Sequence, residues 1–154
     1  MRTPKRVLAW ILAAFTGFTL ISALTAVTAQ AAEEKPFAEH KVVLQISDDD
    51  PFKQTLILNV AGNLLKAYGS DKVDIEIVAF GPGVRLMFAE NVNKGRIGGL
   101  TSEGVCFAAC NNTIANMTKN LGHEPALNPN AVRVGAGVVR ILELVDQGYT
   151  LVKP

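Results

Sequence analysis

The sequence is poor in the residues and motifs that most catalytic and metal sites require. It holds two cysteines, two histidines and one tryptophan. His40 and His123 lie far apart, and neither has ligand spacing to a cysteine, which disfavours a zinc site. The chain also lacks a CxxC pair, a GxSxG elbow and the GxGxxG or GxxxxGK[ST] loops. GPG at 81–83 and GAG at 135–137 therefore indicate turns or close packing, and we predict no metal and no cofactor.

A basic patch is missing as well. The chain has 15 basic and 14 acidic residues. Three of the basic ones and none of the acidic ones fall within residues 1–31, which leaves 12 basic against 14 acidic residues in the remainder. No Lys/Arg-rich stripe interleaved with aromatic residues is present, so nucleic acid is not an expected partner.

The N-terminal segment has the pattern of an export signal. Arg2, Lys5 and Arg6 precede a long uncharged apolar span, and Ala29-Gln30-Ala31 is a small-x-small cleavage site. We interpret residues 1–31 as a signal peptide, which makes the protein periplasmic or secreted. The alternative is an uncleaved membrane anchor, because residues 7–27 approach the length that spans a bilayer. Contact with a membrane is expected only through this segment.

Residues 32–40 form a short charged lead-in, and residues 41–154 suffice for one domain. Apolar, β-branched runs alternate with amphipathic stretches along this domain. The pattern predicts strands at 41–47, 73–80, 105–109, 131–135 and 149–154, and helices at 51–68, 111–122 and 138–148. One or two short helices are expected between 84 and 104, at 84–90 and 95–103. In the first helix the apolar stripe is expected to comprise Phe52, Leu56, Val60, Leu64 and Tyr68, widened by Ile57 and Ala61.

Strands that alternate with helices imply a mainly parallel five-stranded sheet in a three-layer α/β/α sandwich. Ligands of such sheets bind beyond the carboxyl ends of the strands. SDDDP at 47–51, FGPG at 80–83 and ACNNT at 109–113 are expected at that edge. The glycine-rich stretch 84–104 is expected to leave apolar sheet surface open, which would favour a homo-oligomer.

Three consecutive acids, Asp48 to Asp50, follow the first strand. Asp50 is expected to cap the first helix, with Pro51 at its first position. Binding of Mg²⁺ or Ca²⁺, or a polar role beside a thiol, are the alternatives.

The two cysteines occupy different positions around the third strand. Cys106 lies inside the strand, where we expect both faces to be buried and the thiol to be inert. Cys110 lies where the strand ends and a helix begins, so free N–H groups and the helix dipole would stabilise its thiolate. We therefore expect Cys110 to be the reactive thiol, at an edge open to a partner. A disulfide between residues four apart across such a bend is disfavoured.

Taken in order, KVVLQISDDDPF, IEIVAFGPG, GVCFAACNNT and GVVRILELVDQGYTLVKP resemble the DsrE/DsrF-like family over nearly all of residues 41–154. The resemblance implies a five-stranded parallel sheet, oligomers of two to six subunits, and a cysteine that carries sulfane sulfur as a persulfide. Cys110 matches the cysteine of the branch with SDDDP near its start, although Asn111 replaces a glycine usual there. Cys106 resembles the sulfur-accepting position of the cytoplasmic relay proteins, so the resemblance leaves both residues as candidates.

These observations lead to two functional hypotheses. In the first, the protein is an exported sulfur carrier that exchanges sulfane sulfur with donor and acceptor proteins. In the second, it is a non-catalytic oligomeric binding module whose cysteines are structural.

Overall fold

Over the residues that the structure describes, strands alternate with helices, and the five strands of the sheet are all parallel. The computed structural model describes residues 35–154, so the predicted signal peptide lies outside the described residues. The strands are β1 His40–Ile46, β2 Val73–Ala79, β3 Val105–Cys110, β4 Ala131–Val134 and β5 Thr150–Val152. The helices are α1 Pro51–Tyr68, a 3₁₀ helix at Gly81–Met87, α2 Lys94–Ser102, α3 Asn111–Leu121 and α4 Gly137–Asp146.

The sheet has the strand order β4-β3-β2-β1-β5. Each of the first three connections leads to the next strand on the β4 side. The fourth connection crosses the sheet back to β5, which lies beside β1. Because parallel crossovers are right-handed, the returning helix α4 lies on the opposite face from α1, α2 and α3. The larger core lies under α1, the 3₁₀ helix, α2 and α3, and a smaller one lies under α4. The predicted three-layer α/β/α sandwich is confirmed.

Helix α1 begins and ends at the expected residues. The Asp50 carboxylate accepts a 2.7 Å hydrogen bond from the Phe52 N–H, and Gly69 follows the helix with φ 87°. The predicted apolar stripe was right in part: Ile57 and Ala61 are buried, and Val60 and Leu64 pack partly buried against the core, but Phe52 is 73% exposed. The helix also buries Gln54, Leu58 and Leu65, which the prediction did not include. Two neighbouring faces of this helix are apolar. The buried face contains the polar Gln54, so the sequence pattern alone favours the other face.

The stretch after β2 covers the sheet more fully than its glycines suggest. It forms the 3₁₀ helix, which begins at Gly81 rather than Val84, and then α2. Val84, Leu86, Met87 and Ile97 are completely buried. The expectation of open sheet surface here was therefore wrong, and a group of exposed apolar side chains lies on the α4 side instead.

The lead-in lies along the amino edge of the sheet. The ammonium of Lys35 donates to the carbonyl oxygens of Ser70 at 3.0 Å and Val73 at 3.1 Å. Glu39 pairs with Lys72 at 2.8 Å. In the described part of the chain, none of the helices is both long enough and apolar enough to cross a membrane.

Candidate functional site

Three segments meet at the carboxyl edge of the sheet, as the sequence predicts. The Gly81 N–H donates a 3.0 Å hydrogen bond to the hydroxyl of Thr113, which joins the segment after β2 to the start of α3. Gly83 packs so closely against the end of β1 that an added Cβ would lie 2.5 Å from the Ile46 carbonyl oxygen. The site is thus assembled from the segments that follow β1, β2 and β3.

The acidic residues of the first segment have separate local roles. Asp50 caps α1, which confirms the capping interpretation. Asp48 pairs with Lys53 at 3.0 Å, and Asp49 lies 3.5 Å from Arg85. Within residues 35–154, no group of three or more His, Cys, Asp or Glu side chains is arranged to hold a metal ion.

Cys110 is the last residue of β3 and the N-cap of α3. A cap residue lies beside the free N–H groups of the first helical turn, which usually donate to a side-chain oxygen of Ser, Thr, Asp or Asn. Cys110 is only 5% exposed. The expectation of an open edge position was therefore wrong, because Gly137 and Phe80 pack over this corner.

The surroundings of Cys110 favour its thiolate. Burial raises the pKa of the Cys110 thiol, but the nearby Thr113 hydroxyl and the backbone N–H groups of Gly137, Thr113 and Asn112 lower it by more, so the pKa lies below its ordinary value. The sulfur makes no regular capping hydrogen bond. These groups nevertheless lie close enough to stabilise negative charge on it, since a thiolate is a larger and stronger acceptor than a thiol.

A second helix contributes to this stabilisation. Gly137 is the first residue of α4, and a Cβ added to it would lie 3.3 Å from the Cβ of Cys110 and 2.9 Å from that of Phe80. The missing side chain lets the start of α4 approach the sulfur. The positive ends of two helix dipoles, those of α3 and α4, therefore converge on one thiol.

Cys106 has the opposite electrostatic environment. Burial raises the pKa of its thiol to about 11, and the carboxylates of Glu76 and Asp74 add to the rise, while Lys35 and Arg140 partly offset it. Cys106 is half-buried rather than fully buried, so the expectation that both faces of the strand are buried was wrong here. The more exposed cysteine is thus the less ionised one.

The two cysteines are free thiols. Four residues along a strand span roughly 13 Å, well beyond the ~5.5 Å between the Cα atoms of a disulfide. His40 stacks against Tyr68 with ring centroids 3.9 Å apart, and His123 is exposed. Neither histidine belongs to the group that surrounds Cys110.

Sequence reasoning missed two groups of residues. The first comprises Thr113 in the first turn of α3 and Gly137 at the start of α4, both of which act on Cys110. The second is the ion pair between Glu76 in β2 and Arg140 in α4. The signal for this pair was an acid in the middle of the mostly apolar strand β2 and the single base of α4, since buried charges are normally paired.

The fold occurs in an archaeal protein whose function is unknown. The chain is similar to the solved structure of MTH1491 from Methanobacterium thermoautotrophicum, with a TM-score of 0.67 and 28% sequence identity, over 75% of this chain and 100% of that chain. No family model matches the chain, and no curated protein matches it. The comparisons therefore support the α/β architecture and carry no activity with them.

Proposed function

We propose that the protein is an exported sulfur carrier of the DsrE/DsrF-like type and that Cys110 carries sulfane sulfur as a persulfide. The observation that supports this most is the convergence of the α3 and α4 N-termini on the Cys110 sulfur. A thiolate that attacks an S–S bond needs a lowered pKa and access to its donor rather than an acid–base pair. The site meets the first of these needs with backbone N–H groups and one hydroxyl.

The proposed transfer conserves atoms and charge. The Cys110 thiolate attacks the outer sulfur of a donor persulfide, R–S–SH, and a new S–S bond forms at Cys110. The S–S bond of the donor breaks, and the donor leaves as the thiolate R–S⁻. Delivery to an acceptor thiolate reverses these roles, with Cys110 as the leaving group. A thiol of low pKa is a good leaving group, so the same N–H groups assist both half-reactions.

Sulfur loading of the purified, reduced protein tests this function. Incubation with a persulfide donor, followed by removal of the donor, is expected to add one sulfur atom per chain because one thiolate is favoured. Intact mass spectrometry before and after treatment with a reductant measures the addition and its removal. A mass that stays unchanged over a range of donor concentrations would contradict the proposal.

The burial of Cys110 and an exposed apolar surface favour the alternative function, an oligomeric binding module with structural cysteines. The α4 apolar surface consists of side chains that are 39–58% exposed on one side of the sheet: Val132, Val138, Val139, Leu142, Val145 and Leu151. Val132 and Leu151 are in register with Ala108 and Val43, which form the core beneath α4. The surface is thus continuous with the edge strands on both sides of the helix.

We expect the protein to form a homo-oligomer through the α4 apolar surface, whichever function it has. Leu142→Glu is expected to weaken self-association about tenfold or more, because burying a leucine contributes about 1.5–3 kcal/mol and a buried unpaired charge opposes contact. Light scattering or sedimentation over a range of protein concentrations measures the effect.

Leu121→Glu is the matched control. Leu121 is 54% exposed, close to the 58% of Leu142, but it lies at the end of α3 on the other side of the sheet. Equal association of the two variants, or a monomeric parent protein at micromolar concentration, would contradict the assignment of this surface.

A further inference from the structure

The position of α4 along the sheet decides whether its N-terminus reaches Cys110. Ile141 and Leu144 pack this helix onto Val43, Val78 and Ala108. Such contacts are not directional, and the sheet residues are small and similar in shape. They hold the helix against the sheet but define its position along the strands only weakly. A displacement of about 1 Å is enough to weaken a hydrogen bond to sulfur severely.

One polar contact between α4 and the sheet is directional. Arg140 donates two hydrogen bonds to Glu76, from Nε to Oε1 at 2.8 Å and from Nη2 to Oε2 at 2.7 Å. Glu76 is 4% exposed, and the Arg140 side chain is 27% exposed. A paired fork of this kind fixes both distance and orientation. Arg140 is one helical turn beyond Gly137, so the ion pair positions the first turn of α4 directly.

We propose that Glu76 and Arg140 are positioning residues, whose ion pair holds α4 so that the Gly137 N–H faces the Cys110 sulfur. The inference rests on the proposed function only in taking Cys110 as the reacting thiol. This role explains why a buried ion pair lies in an otherwise apolar interface. Apolar packing alone would hold α4 on the sheet without the cost of desolvating two charges. The groups around the pair are Asp74, Cys106, Glu143 and Tyr149.

The Glu76→Gln variant separates positioning from a direct effect of charge. Removing a negative charge would by itself favour the Cys110 thiolate, lower its pKa and speed its alkylation. Loss of the fork should instead release α4, withdraw the Gly137 N–H and raise that pKa. We expect the second result, with a three- to tenfold fall in the alkylation rate of Cys110 at neutral pH and a pH profile displaced upward.

The experiment measures iodoacetamide alkylation against pH in a Cys106→Ser background. Glu39→Gln is the matched control, because it breaks a carboxylate–ammonium pair of 2.8 Å at the amino edge, and its profile should match that of the parent. Arg140→Lys keeps the positive charge but cannot form the paired hydrogen bonds to Glu76. It replaces Glu76→Gln if that variant does not fold, and it should also displace the pH profile upward.

Two outcomes of this experiment decide the proposal. An upward displacement in the folded Glu76 or Arg140 variant, with the control unchanged, supports it. An unchanged or downward profile in either folded variant overturns it. Alkylation reports on the thiol and needs no sulfur uptake, so failure of the carrier function in the loading experiment is a separate result.

Discussion

Replacing Cys110 with serine is expected to abolish sulfur loading, whereas Cys106→Ser should leave it largely intact. Serine is a preferred N-cap residue, so Cys110→Ser should keep α3 in place and can be compared with the parent as a folded protein. Cys106 is half-buried beside carboxylates, where a hydroxyl is also tolerated. Both substitutions therefore test chemistry more than folding.

We expect Cys110 to react faster than Cys106 because a larger fraction of it is ionised, although it is the less exposed of the two. The pKa of Cys106 is about 11, while that of Cys110 lies below its ordinary value of 9.0. At neutral pH Cys110 is therefore more often a thiolate than Cys106. A thiolate of lower pKa is intrinsically less nucleophilic, but with a Brønsted β of about 0.4–0.5 this offsets only about half of the difference in ionisation on a logarithmic scale. The net electrostatic advantage belongs to Cys110.

Mass spectrometry of donor-treated variants measures this prediction, with circular dichroism to verify the fold. Loading that survives in Cys110→Ser and disappears in Cys106→Ser would transfer the role to Cys106 and contradict the electrostatic argument. Loss in both folded variants would indicate a cooperating pair, which the ~13 Å between the two positions along β3 makes difficult within one subunit. Retention in both would leave the carrier function without support.

Much of the fold follows from short-range pattern. The β-branched runs, the Asp50-Pro51 helix start and Gly69 at the helix end predict β1 and α1 within a residue or two, because these signals act over a single turn. The buried face of α1 was not predictable in the same way. Several adjacent positions of α1 are apolar, and only contact with the sheet selects Leu58 over Val60.

The location of the site was predictable from the sequence, but the contacts within it were not. Strand topology brings residues 47–51, 80–83 and 109–113 to one edge, and local sequence places Cys110 at a helix start. The approach of Gly137 depends on α4 crossing the sheet, and the exposure of each cysteine depends on what packs over it. Because both are consequences of tertiary packing, the relative burial of Cys106 and Cys110 could not be derived from their positions in the sequence.

The largest stability effect is expected from Gly83→Ala. A Cβ at this position would lie 2.5 Å from the carbonyl oxygen of Ile46, 2.7 Å from its carbonyl carbon and 2.9 Å from the Cα of Ser47. All three are backbone atoms at the end of β1, so no flexible side chain can move aside. Overpacking of this kind typically costs 1–3 kcal/mol, and we expect about 3 kcal/mol or more from a backbone clash.

Gly62→Ala is the matched control for this substitution. An added Cβ at Gly62, in the middle of α1, would meet no atom within 4 Å, so this variant should gain about 0.5–1 kcal/mol from helix propensity. Urea unfolding of both variants and the parent measures the two free energies of unfolding. Similar stabilities for the two variants would contradict the close approach of the 3₁₀ helix to β1.

The same substitution connects the fold to the candidate site. Gly83 lies in the 3₁₀ helix that begins at Gly81, and the Gly81 N–H donates to the Thr113 hydroxyl beside Cys110. Displacing this helix from β1 should move the donor to Thr113, whose hydroxyl helps to lower the pKa of Cys110. Folded Gly83→Ala should therefore alkylate more slowly at neutral pH than Gly62→Ala. If it loses stability but keeps the parent alkylation profile, the 3₁₀ helix supports the core and contributes nothing to the thiol.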